Sequence, residues 1–290
     1  MKKIIILTPI FNDWPSLEKL IFELNSKFSK LNDYEFKMIV IDDGSTVSQP
    51  KINKPVNFTT IEIINMKENR GHAECIAYGL GHIIDNENFD KVILMDGDGE
   101  DRPEEIEDLL DKAFPSSDIS VVAKRIKRSE GPVFTILYHL HKLLTLIFTG
   151  KKINFGNFSC ISKKDILKIK NKSSLWSSYS GTFKKNIKNY EEINCVRGKR
   201  YFGPSKMSLF KLLLHSFSII AVFKYEVFLR SIIIFLFFFF FKNYLGIIVY
   251  IPQLFVILFS LLIFAVSLKN EKNLRYRRER DLNKIKKTTI

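Results

Sequence analysis

The first 122 residues alternate short apolar, β-branched runs with stretches whose apolar positions recur every three or four residues. The apolar runs are continuous, a pattern typical of parallel strands that are buried on both faces of a sheet. The stretches between them have helical spacing. Together they predict an α/β fold with a mostly parallel central sheet. Strands are predicted at residues 3–8, 37–42, 60–65, 91–95 and 118–123, and helices at 15–30, 71–84 and 103–113.

The pattern changes after residue 122. Residues 123–205 are mixed, basic and aromatic, and we interpret them as the substrate-facing half of one domain, 1–205, whose first half is 1–122. Residues 206–226 place apolar side chains at helical spacing beside basic ones. This predicts an amphipathic helix in the membrane interface, and a helix packed on the domain is the alternative.

Two strongly apolar segments follow. Residues 244–268 contain no charged side chain, and as a helix they would be about 37 Å long, enough to cross a hydrocarbon core of about 30 Å. Residues 227–243 can also span if Arg230 and Lys242 reach opposite membrane faces. We therefore predict two transmembrane helices over 227–268 that form a hairpin. One span and one buried helix is the alternative.

The charge of the chain is concentrated near its end. The net charge is +14, from 45 Lys and Arg against 31 Asp and Glu. Residues 269–290 carry nine basic and three acidic side chains, hence +6 of that total. A basic segment directly after an apolar span is typical of a cytoplasmic flank. We therefore expect a multi-pass protein of the cytoplasmic membrane, with the catalytic domain and both termini in the cytoplasm, and no nucleic-acid partner.

Acidic side chains follow the fourth predicted strand. Asp96 and Asp98 come directly after the run 91–95, and one or two carboxylates suffice to hold Mg²⁺ against a diphosphate. Glu100 lies on the same side of an extended loop, and three such carboxylates repel one another without a cation. We predict these three as metal ligands and Asp101 as a cap of the next helix. A solvated acidic turn is the alternative.

Two more loops end predicted strands at the edge of the sheet where ligands bind in α/β folds. Asp42 and Asp43 can direct a carboxylate at a ribose or a base, or can instead cap the backbone of their own turn. Gly71 precedes a helix, so backbone N–H groups there can approach an anion, although close helix packing is the alternative. We interpret His72 as a cap of that helix.

Basic side chains occupy two further loops. In the loop after the fifth strand they can offset the charge of a diphosphate, and before residue 207 they can meet a lipid phosphate. A solvated basic loop and contact with anionic headgroups are the alternatives. The basic side chains are Lys124, Arg125, Lys127 and Arg128 in the first loop and Arg197, Arg200 and Lys206 in the second, where the hydroxyl of Ser205 stands beside Lys206.

In this order the motifs resemble those of the family 2 glycosyltransferases, most nearly the polyprenyl-phosphate sugar transferases typified by dolichol-phosphate mannosyltransferase. They span residues 8–207, and the trailing apolar segments fit the membrane-anchored bacterial members. The matching motifs are Thr8-Pro-Ile-Phe-Asn-Asp13, Ile41-Asp-Asp-Gly-Ser-Thr46, Asn69-Arg-Gly71, Met95-Asp-Gly-Asp98 with Pro103-Glu104, and Arg197-x-x-Arg200-x-x-Gly203-x-Ser205-Lys206.

The resemblance implies a GT-A fold and an inverting, metal-dependent transfer of a hexose from a nucleotide-diphosphate sugar to a membrane lipid acceptor. The expected acceptor is polyprenyl (undecaprenyl) phosphate and the expected cofactor is Mg²⁺ or Mn²⁺. The alternatives are a transferase that acts on a lipid-linked surface glycan and a non-catalytic nucleotide-sugar-binding membrane component. The lipid bilayer is an expected partner, and a homo-oligomer is possible.

The resemblance also implies a role for individual residues. The metal ligands would be Asp96, Asp98 and Glu100. Catalysis would depend on Asp96, Asp98, Arg125 and Arg197. The nucleotide sugar would contact Pro9, Phe11, Asp13, Ile41, Asp43, Gly71, Asp96, Gly97 and Asp98. The acceptor phosphate would contact Arg200, Ser205 and Lys206.

Three positions depart from the pattern of the family. Asp13 stands where a glutamate is usual, and Glu100 stands where a glutamine is usual. The segment 154–161 lacks the arginine that often follows its aromatic residue in the bacterial lipid-phosphate group. The last difference leaves two acceptors open, undecaprenyl phosphate and a growing surface glycan on a lipid carrier.

Overall fold

A computed structural model describes residues 1–127, 132–203, 209–281 and 286–290. The predictions for Arg128, Ser205 and Lys206 lie outside these ranges. The described residues form two compact units. The first unit takes its residues from 1–129, 154–206 and 278–290, and the second from 130–153 and 207–277. The predicted domain boundaries remain predictions, and each unit is described below by itself.

The first unit is built on a mixed sheet of eight strands in the order β7-β5-β6-β4-β1-β2-β3-β8. The four strands β4, β1, β2 and β3 are parallel, whereas β6 and β8 run antiparallel to their neighbours. The strands are β1 Lys2–Ile10, β2 Tyr34–Asp42, β3 Thr60–Asn65, β4 Lys91–Leu94, β5 Val121–Lys127, β6 Phe155–Ser162, β7 Glu191–Val196 and β8 Lys286–Thr289.

Helices cover both faces of this sheet. The helices of the first unit are α1 Trp14–Phe28, α2 His72–Asn86, α3 Ile106–Ala113, α5 Lys163–Ile169 and α6 Tyr179–Asn186. A 3-10 turn, Pro103–Glu105, precedes α3, so the helix predicted from residue 103 starts with a tighter turn. The α/β fold with a mostly parallel sheet is confirmed, and so are the five strands and three helices predicted before residue 124.

Two apolar clusters explain why the strand sequences are continuously apolar. Ile4 and Ile6 of β1 pack on one face of the sheet with α1 and α3. Ile5 and Leu7 pack on the other face with α2, α5 and α6. All four side chains are almost fully buried, and burial of each contributes roughly 2 kcal/mol. Since successive side chains of a strand point to opposite faces, a sheet covered on both faces needs apolar residues at every position.

The strand register brings the motif loops to one edge of the sheet. Pro9 lies opposite Ile41 and Ile10 lies opposite Asp42, where β1 and β2 both end. Asp42 lies opposite Asn65 at the end of β3. Because β4 is parallel to β1 on its other side, the loops after all four strands leave the sheet at the same edge.

The second unit is helical, with α4 Pro132–Thr149, α7 Leu209–Ala221, α8 Lys224–Phe240, α9 Lys242–Leu245 and α10 Tyr250–Asp281. Its core joins Phe148 of α4 with Ile220, Val227 and Phe259 of the later helices. Helix α4 lies between β5 and β6 in the chain but packs with α7 and α8. The helix predicted over 206–226 corresponds to α7, which ends at Ala221 before a turn.

One helical segment of the described chain, Lys242–Glu271, is long and apolar enough to cross a membrane. Helix α8, where the first of two spans is predicted, has 17 residues and is therefore about 25 Å long. Its first two turns carry Lys224, Glu226 and Arg230, so its uncharged part is shorter still. A transmembrane hairpin and a multi-pass topology are therefore not supported.

The C-terminal residues are more ordered than the predicted basic tail implies. Helix α10 continues beyond Leu268 to Asp281. Strand β8 then pairs antiparallel with β3, with Glu62 opposite Thr289 and Asn65 opposite Lys286. The C-terminal segment thus completes the sheet of the first unit.

Candidate active site

An acidic loop, residues 96–101, follows β4 at the edge where the parallel strands end. Asp101 is buried, and its two carboxylate oxygens accept from the backbone N–H of Asp96 at 2.9 Å and from Arg125 Nη2 at 3.1 Å. No side chain caps the 3-10 turn that follows. The prediction of Asp101 as a helix cap is therefore wrong in detail. Its carboxylate holds the acidic loop together instead.

Asp96 pairs with a histidine that was predicted only as a cap. His72 is the first residue of α2, and its Nε2 lies 3.1 Å from Asp96 Oδ1. Burial raises the pKa of Asp96, but His72 and Arg125 outweigh it and hold that pKa well below its usual range. Burial lowers the pKa of His72, and the nearby Asp96 reverses this so that the net shift is upward. The two side chains form an ion pair when His72 is protonated.

Asn157 of β6 completes this contact. Its Nδ2 lies 2.8 Å from His72 Nε2 and 3.5 Å from Asp96 Oδ1. Neither His72 nor Asn157 was among the predicted site residues. The adjacency of His72 to Gly71 was the one available signal, since it placed the histidine at the ligand edge of the sheet. Asn157 lies in the segment 154–161 that the family comparison singled out, but it was not itself marked as a site residue, and it reaches the site from 61 residues beyond Asp96.

Two arginines from a distant loop pair with the other acidic side chains. Arg200 Nη1 binds Asp98, and its Nη2 lies 2.8 Å from Asp13 Oδ2. Arg197 Nη2 binds Glu100. Burial, together with the charges of Asp96 and Glu100, raises the pKa of Asp98 to about 6, against the opposing effect of Arg200. The acidic loop is therefore compensated by protein cations.

The loop that carries these arginines is docked on the acidic loop through its backbone. The N–H groups of Gly198 and Tyr201 donate to the carbonyl oxygens of Glu100 and Asp98, both at 2.8 Å. A Cβ at Gly198 would lie 2.3 Å from the Gly99 carbonyl oxygen, so this approach requires glycine. We call residues 197–201 the arginine loop.

The carboxylates of Asp42 and Asp43 both accept hydrogen bonds from backbone N–H groups of nearby loops. Asp43 is buried and accepts from the N–H groups of Arg70 at 2.7 Å and Gly71 at 2.9 Å. Asp42 accepts from the N–H of Ser45 at 3.1 Å. The alternative of backbone capping thus describes both carboxylates here. By fixing Gly71, Asp43 also fixes the start of α2 and the position of His72.

Asn12, which was not among the predicted site residues, connects two of the nucleotide motifs. It has a positive φ of 50°, a conformation that Asn tolerates better than most residues. Its Oδ1 accepts from the N–H groups of Thr46 at 2.8 Å and Val47 at 3.1 Å. Its own N–H donates to Ser45 Oγ at 2.7 Å. The loop after β1 is thereby tied to the loop after β2.

The remaining predicted residues fall on the same edge. Gly97 is buried against β1, and a Cβ there would lie 3.0 Å from Thr8 Cγ2. Phe11 follows the end of β1 next to Asn12. Arg125 packs over Gly156, where a Cβ would lie 3.4 Å from its guanidinium carbon. The predicted residues that the structure brings together by direct contact are Asp13, Asp96, Asp98, Glu100, Arg197 and Arg200 with Arg125 behind them.

Lys124, predicted beside Arg125, lies outside this cluster, because its Nζ lies 3.7 Å from Glu192 Oε2 on β7. Lys124 and Arg125 are consecutive residues of one strand, so their side chains point to opposite faces. Both cations thus lie on β5, as the sequence indicates, but the alternation of side chains along the strand places only Arg125 at the acidic loop.

The acidic loop has the ligand chemistry that a hard divalent cation requires. Asp96, Asp98 and Glu100 supply carboxylate oxygens, which Mg²⁺ and Mn²⁺ prefer. Asp98 and Glu100 are each paired with an arginine, and Asp96 contacts His72. The donor set therefore fits a metal, provided that these ion pairs rearrange.

A second group with metal-like ligands lies elsewhere. Within the described ranges, Glu62, His82 and Glu87 have ligand atoms within 4.8 Å of one another. Lys37 Nζ lies 3.1 Å from Glu62 and 2.7 Å from Glu87. An ammonium group thus already supplies the positive charge at this place, and we assign the group a structural role.

Comparisons with known proteins place this site in a family. Residues 5–210 match the sequence model of glycosyl transferase family 2. The chain is 26% identical over 225 residues to the undecaprenyl-phosphate 4-deoxy-4-formamido-L-arabinose transferase of Yersinia enterocolitica, covering 73% of this chain and 65% of that protein. The corresponding protein of Photorhabdus laumondii is 26% identical over 226 residues with the same coverage. The chain thus spans about 65% of the length of these curated relatives.

The fold has solved counterparts. Glucosyl-3-phosphoglycerate synthase from Mycobacterium tuberculosis, crystallised with Mn²⁺, UDP-glucose and phosphoglyceric acid, superposes with a TM-score of 0.51 at 16% identity. The superposition covers 78% of this chain and 80% of that one. The shared architecture is the GT-A fold. Because the family match covers more than half of the chain, the protein belongs to glycosyl transferase family 2.

Proposed function

We propose that this glycosyltransferase moves a hexose from a nucleotide-diphosphate sugar to polyprenyl phosphate at a membrane, with inversion and with Mg²⁺ or Mn²⁺. The observation that carries the proposal is the cluster in which two arginines face the acidic loop at the ligand edge of a GT-A sheet. The apolar segment Lys242–Glu271 supports membrane attachment. The names of the relatives, which are undecaprenyl-phosphate sugar transferases, support the acceptor class.

Asp96 and Asp98 would hold the metal, with Glu100 as a third ligand. When bound, the cation neutralises charge on the departing nucleoside diphosphate, which is worth several kcal/mol. His72 fixes the carboxylate of Asp96 through its 3.1 Å contact. Asp101 fixes the backbone N–H of Asp96. These contacts position the ligand before the substrate arrives.

The donor nucleoside would lie against the loops after β1 and β2, where Phe11, Asp13 and Asp43 stand. Asn12 ties these loops together. Arg125 and Arg197 would stabilise the charge that develops on the leaving diphosphate, since fixed cations act most strongly in a site that excludes water.

The acceptor phosphate would contact Arg200, Ser205 and Lys206. A lipid phosphate is already anionic, so it can attack the anomeric carbon without a general base. Positioning and charge stabilisation would then supply most of the rate.

A lipid-linked surface glycan is the second candidate acceptor. The segment 154–161 lacks the arginine that often follows its aromatic residue in the bacterial lipid-phosphate group. This departure from the lipid-phosphate pattern is the observation that favours the glycan.

The decisive experiment is donor-screening turnover with purified protein in detergent. Each reaction contains Mn²⁺ or Mg²⁺, undecaprenyl phosphate and one UDP- or GDP-sugar, and both the free nucleoside diphosphate and the sugar-bearing lipid are measured. Metal-dependent glycolipid formation is the expected result. Release of the nucleoside diphosphate without glycolipid would indicate that the acceptor is a glycan and not undecaprenyl phosphate. No release from any donor would contradict the proposed transfer from the UDP- and GDP-sugars tested.

A matched pair of variants tests the metal site. Asp98→Asn should lower kcat/KM at least about 100-fold, because the metal contributes several kcal/mol. Asp118→Asn is the control, since Asp118 is exposed and pairs with Lys164 at 2.7 Å. Equal activity of both variants would contradict the metal-binding role of Asp98.

A further inference from the structure

Arg200 links two parts of the site that the donor must share. Its guanidinium binds Asp98 of the acidic loop through Nη1, and Nη2 lies 2.8 Å from Asp13 after β1. Only 16% of its side chain is exposed. A guanidinium presents a planar fork of donors that matches two carboxylate partners. Arg200 thus connects the loop after β1 with the acidic loop.

The pairing of Arg200 with Asp98 conflicts with the proposed role of Asp98 as a metal ligand and with that of Arg200 in binding the acceptor phosphate. Asp98 is a metal ligand in the proposed function, and a divalent cation repels a guanidinium that is bound to the same carboxylate. Arg200 is also the candidate partner of the acceptor phosphate, and its Nη1 and Nη2 are occupied while it is paired with Asp98 and Asp13. Arg197 of the same loop likewise binds Glu100, the third proposed metal ligand.

We propose that Arg200 is an internal counter-ion that exchanges with the divalent cation, so that its guanidinium becomes available to the acceptor phosphate only after the metal is bound. The inference rests on the proposed metal-dependent transfer. It predicts an order of binding, in which metal and donor precede the acceptor. Since coupling between two ligands is reciprocal, Mn²⁺ should also raise the affinity of the protein for the acceptor phosphate.

The test measures Mn²⁺ binding to the full chain in detergent, without nucleotide or lipid, by the loss of the free Mn²⁺ resonance in electron paramagnetic spectra. Arg200→Ala removes the competing cation and should tighten Mn²⁺ binding, on the order of 10-fold, a typical coupling between sites. A residue that only supports the site would show weaker binding when it is removed. Unchanged or weaker binding in Arg200→Ala would therefore overturn the proposal.

Two further variants complete the design. Arg102→Ala is the matched control for charge, because Arg102 is an arginine near the same loop but pairs with Glu104 and Glu105. It should change Mn²⁺ affinity less than Arg200→Ala does, because the carboxylates that Arg102 pairs with, Glu104 and Glu105, are not proposed metal ligands. Arg200→Gln keeps a polar side chain without the charge and should also tighten binding, which protects the test if the alanine variant does not fold.

A second measurement uses the unmodified protein. Phenylglyoxal modifies exposed guanidinium groups, and mass spectrometry of the digest reports each arginine. Mn²⁺ should raise the labelling rate of Arg200 several-fold and leave that of Arg102 unchanged. An unchanged rate at Arg200 with Mn²⁺ bound would overturn the exchange alone. Absence of Mn²⁺ binding in every variant, both without nucleotide and in the presence of UDP or GDP, would instead overturn the metal-dependent function on which the exchange rests.

Discussion

At the scale of single residues, the position of the proposed metal ligand Asp96 depends on hydrogen bonds and contacts from neighbouring residues. His72 and Asp101 both act on Asp96, one through its carboxylate and one through its backbone N–H. Asp43 holds the backbone from which His72 projects. Only part of each contact was visible in the sequence, because the motifs contain the acids but do not show which group each acid contacts.

Asn12 offers a test of loop positioning. Asn12→Gly keeps the positive φ but removes the side-chain bonds to Thr46 and Val47. It should raise the KM for the donor roughly tenfold, equivalent to about 1.4 kcal/mol, with little change in kcat. Asn12→Asp keeps both acceptor bonds and should remain near the wild-type KM. Steady-state kinetics with varied donor check this, and equal KM values for the two variants would contradict the role.

The pKa of Asp98 predicts the pH dependence of metal binding. Burial and the charges of Asp96 and Glu100 raise that pKa to about 6, so the metal must displace a proton below that pH. Mn²⁺ affinity should fall by about tenfold per pH unit below about pH 6 and be constant above about pH 7. An ordinary aspartate would shift the fall to about pH 4. Mn²⁺ titrations between pH 4.5 and 8 distinguish these outcomes, with Asp98→Asn as the control that lacks the transition.

At the scale of elements, α4 has two distinct faces. Leu144 and Phe148 pack into the core of the second unit. The other face exposes an apolar stripe at helical spacing: Ile136, Leu140, Leu143 and Ile147. An exposed apolar stripe of this kind is typical of a helix that contacts lipid.

This face can be probed with a single cysteine label, because Cys75, Cys160 and Cys195 are all buried. An environment-sensitive dye on Leu143→Cys should shift its emission to shorter wavelength when the protein is placed in liposomes, since the dye would enter an apolar medium. The same dye on Glu18→Cys, an exposed position of α1, should not shift. Equal spectra at the two positions would count against lipid contact of α4.

Strand β8 protects an edge of the sheet. Ile290 exchanges backbone hydrogen bonds with Ile61 at 2.9 and 3.1 Å and packs against the first apolar cluster. Without this segment the backbone groups of β3 would be unpaired, and such edges promote aggregation.

Deletion of residues 286–290 should therefore lower the Tm by a few degrees, equivalent to about 1–2 kcal/mol, and should cause aggregation that depends on protein concentration. Thermal melting and light scattering check both effects. Thr289→Ala keeps the backbone pairing with Glu62 and should melt like the wild type. An unchanged Tm in the deletion variant would show that the edge does not need β8.

At the scale of the whole molecule, a GT-A unit and a helical unit are interleaved along one chain. The chain leaves the first unit after β5, returns to it for β6 and β7, and reaches it again at the C-terminal end. Sequence patterns place boundaries where composition changes, and α4 lies within a stretch of mixed composition. The pattern alone therefore grouped α4 with its neighbours in sequence.

The membrane-related helices show a similar limit. The apolar segment after residue 243 was identified correctly from length and charge. The shorter segment before it was extended to a span by including residues with charged side chains at its ends, whereas α8 ends at Phe240. Apolar composition indicates which residues avoid water, but the length of the helix depends on where it begins and ends, and α8 has 17 residues.

The sequence by itself determined the first five strands of the sheet, the order of the motifs and the edge at which they meet. The strands follow from continuous apolar runs and the helices from a period of 3.6 residues, which are local properties of the chain, and parallel connectivity then places the motifs at one edge. Only the tertiary structure decided which cation faces each acid. Arg200 and Asp13 are 187 residues apart, and Arg197 and Glu100 are 97 apart. Such pairs form because packing brings distant loops together, and no local pattern specifies them.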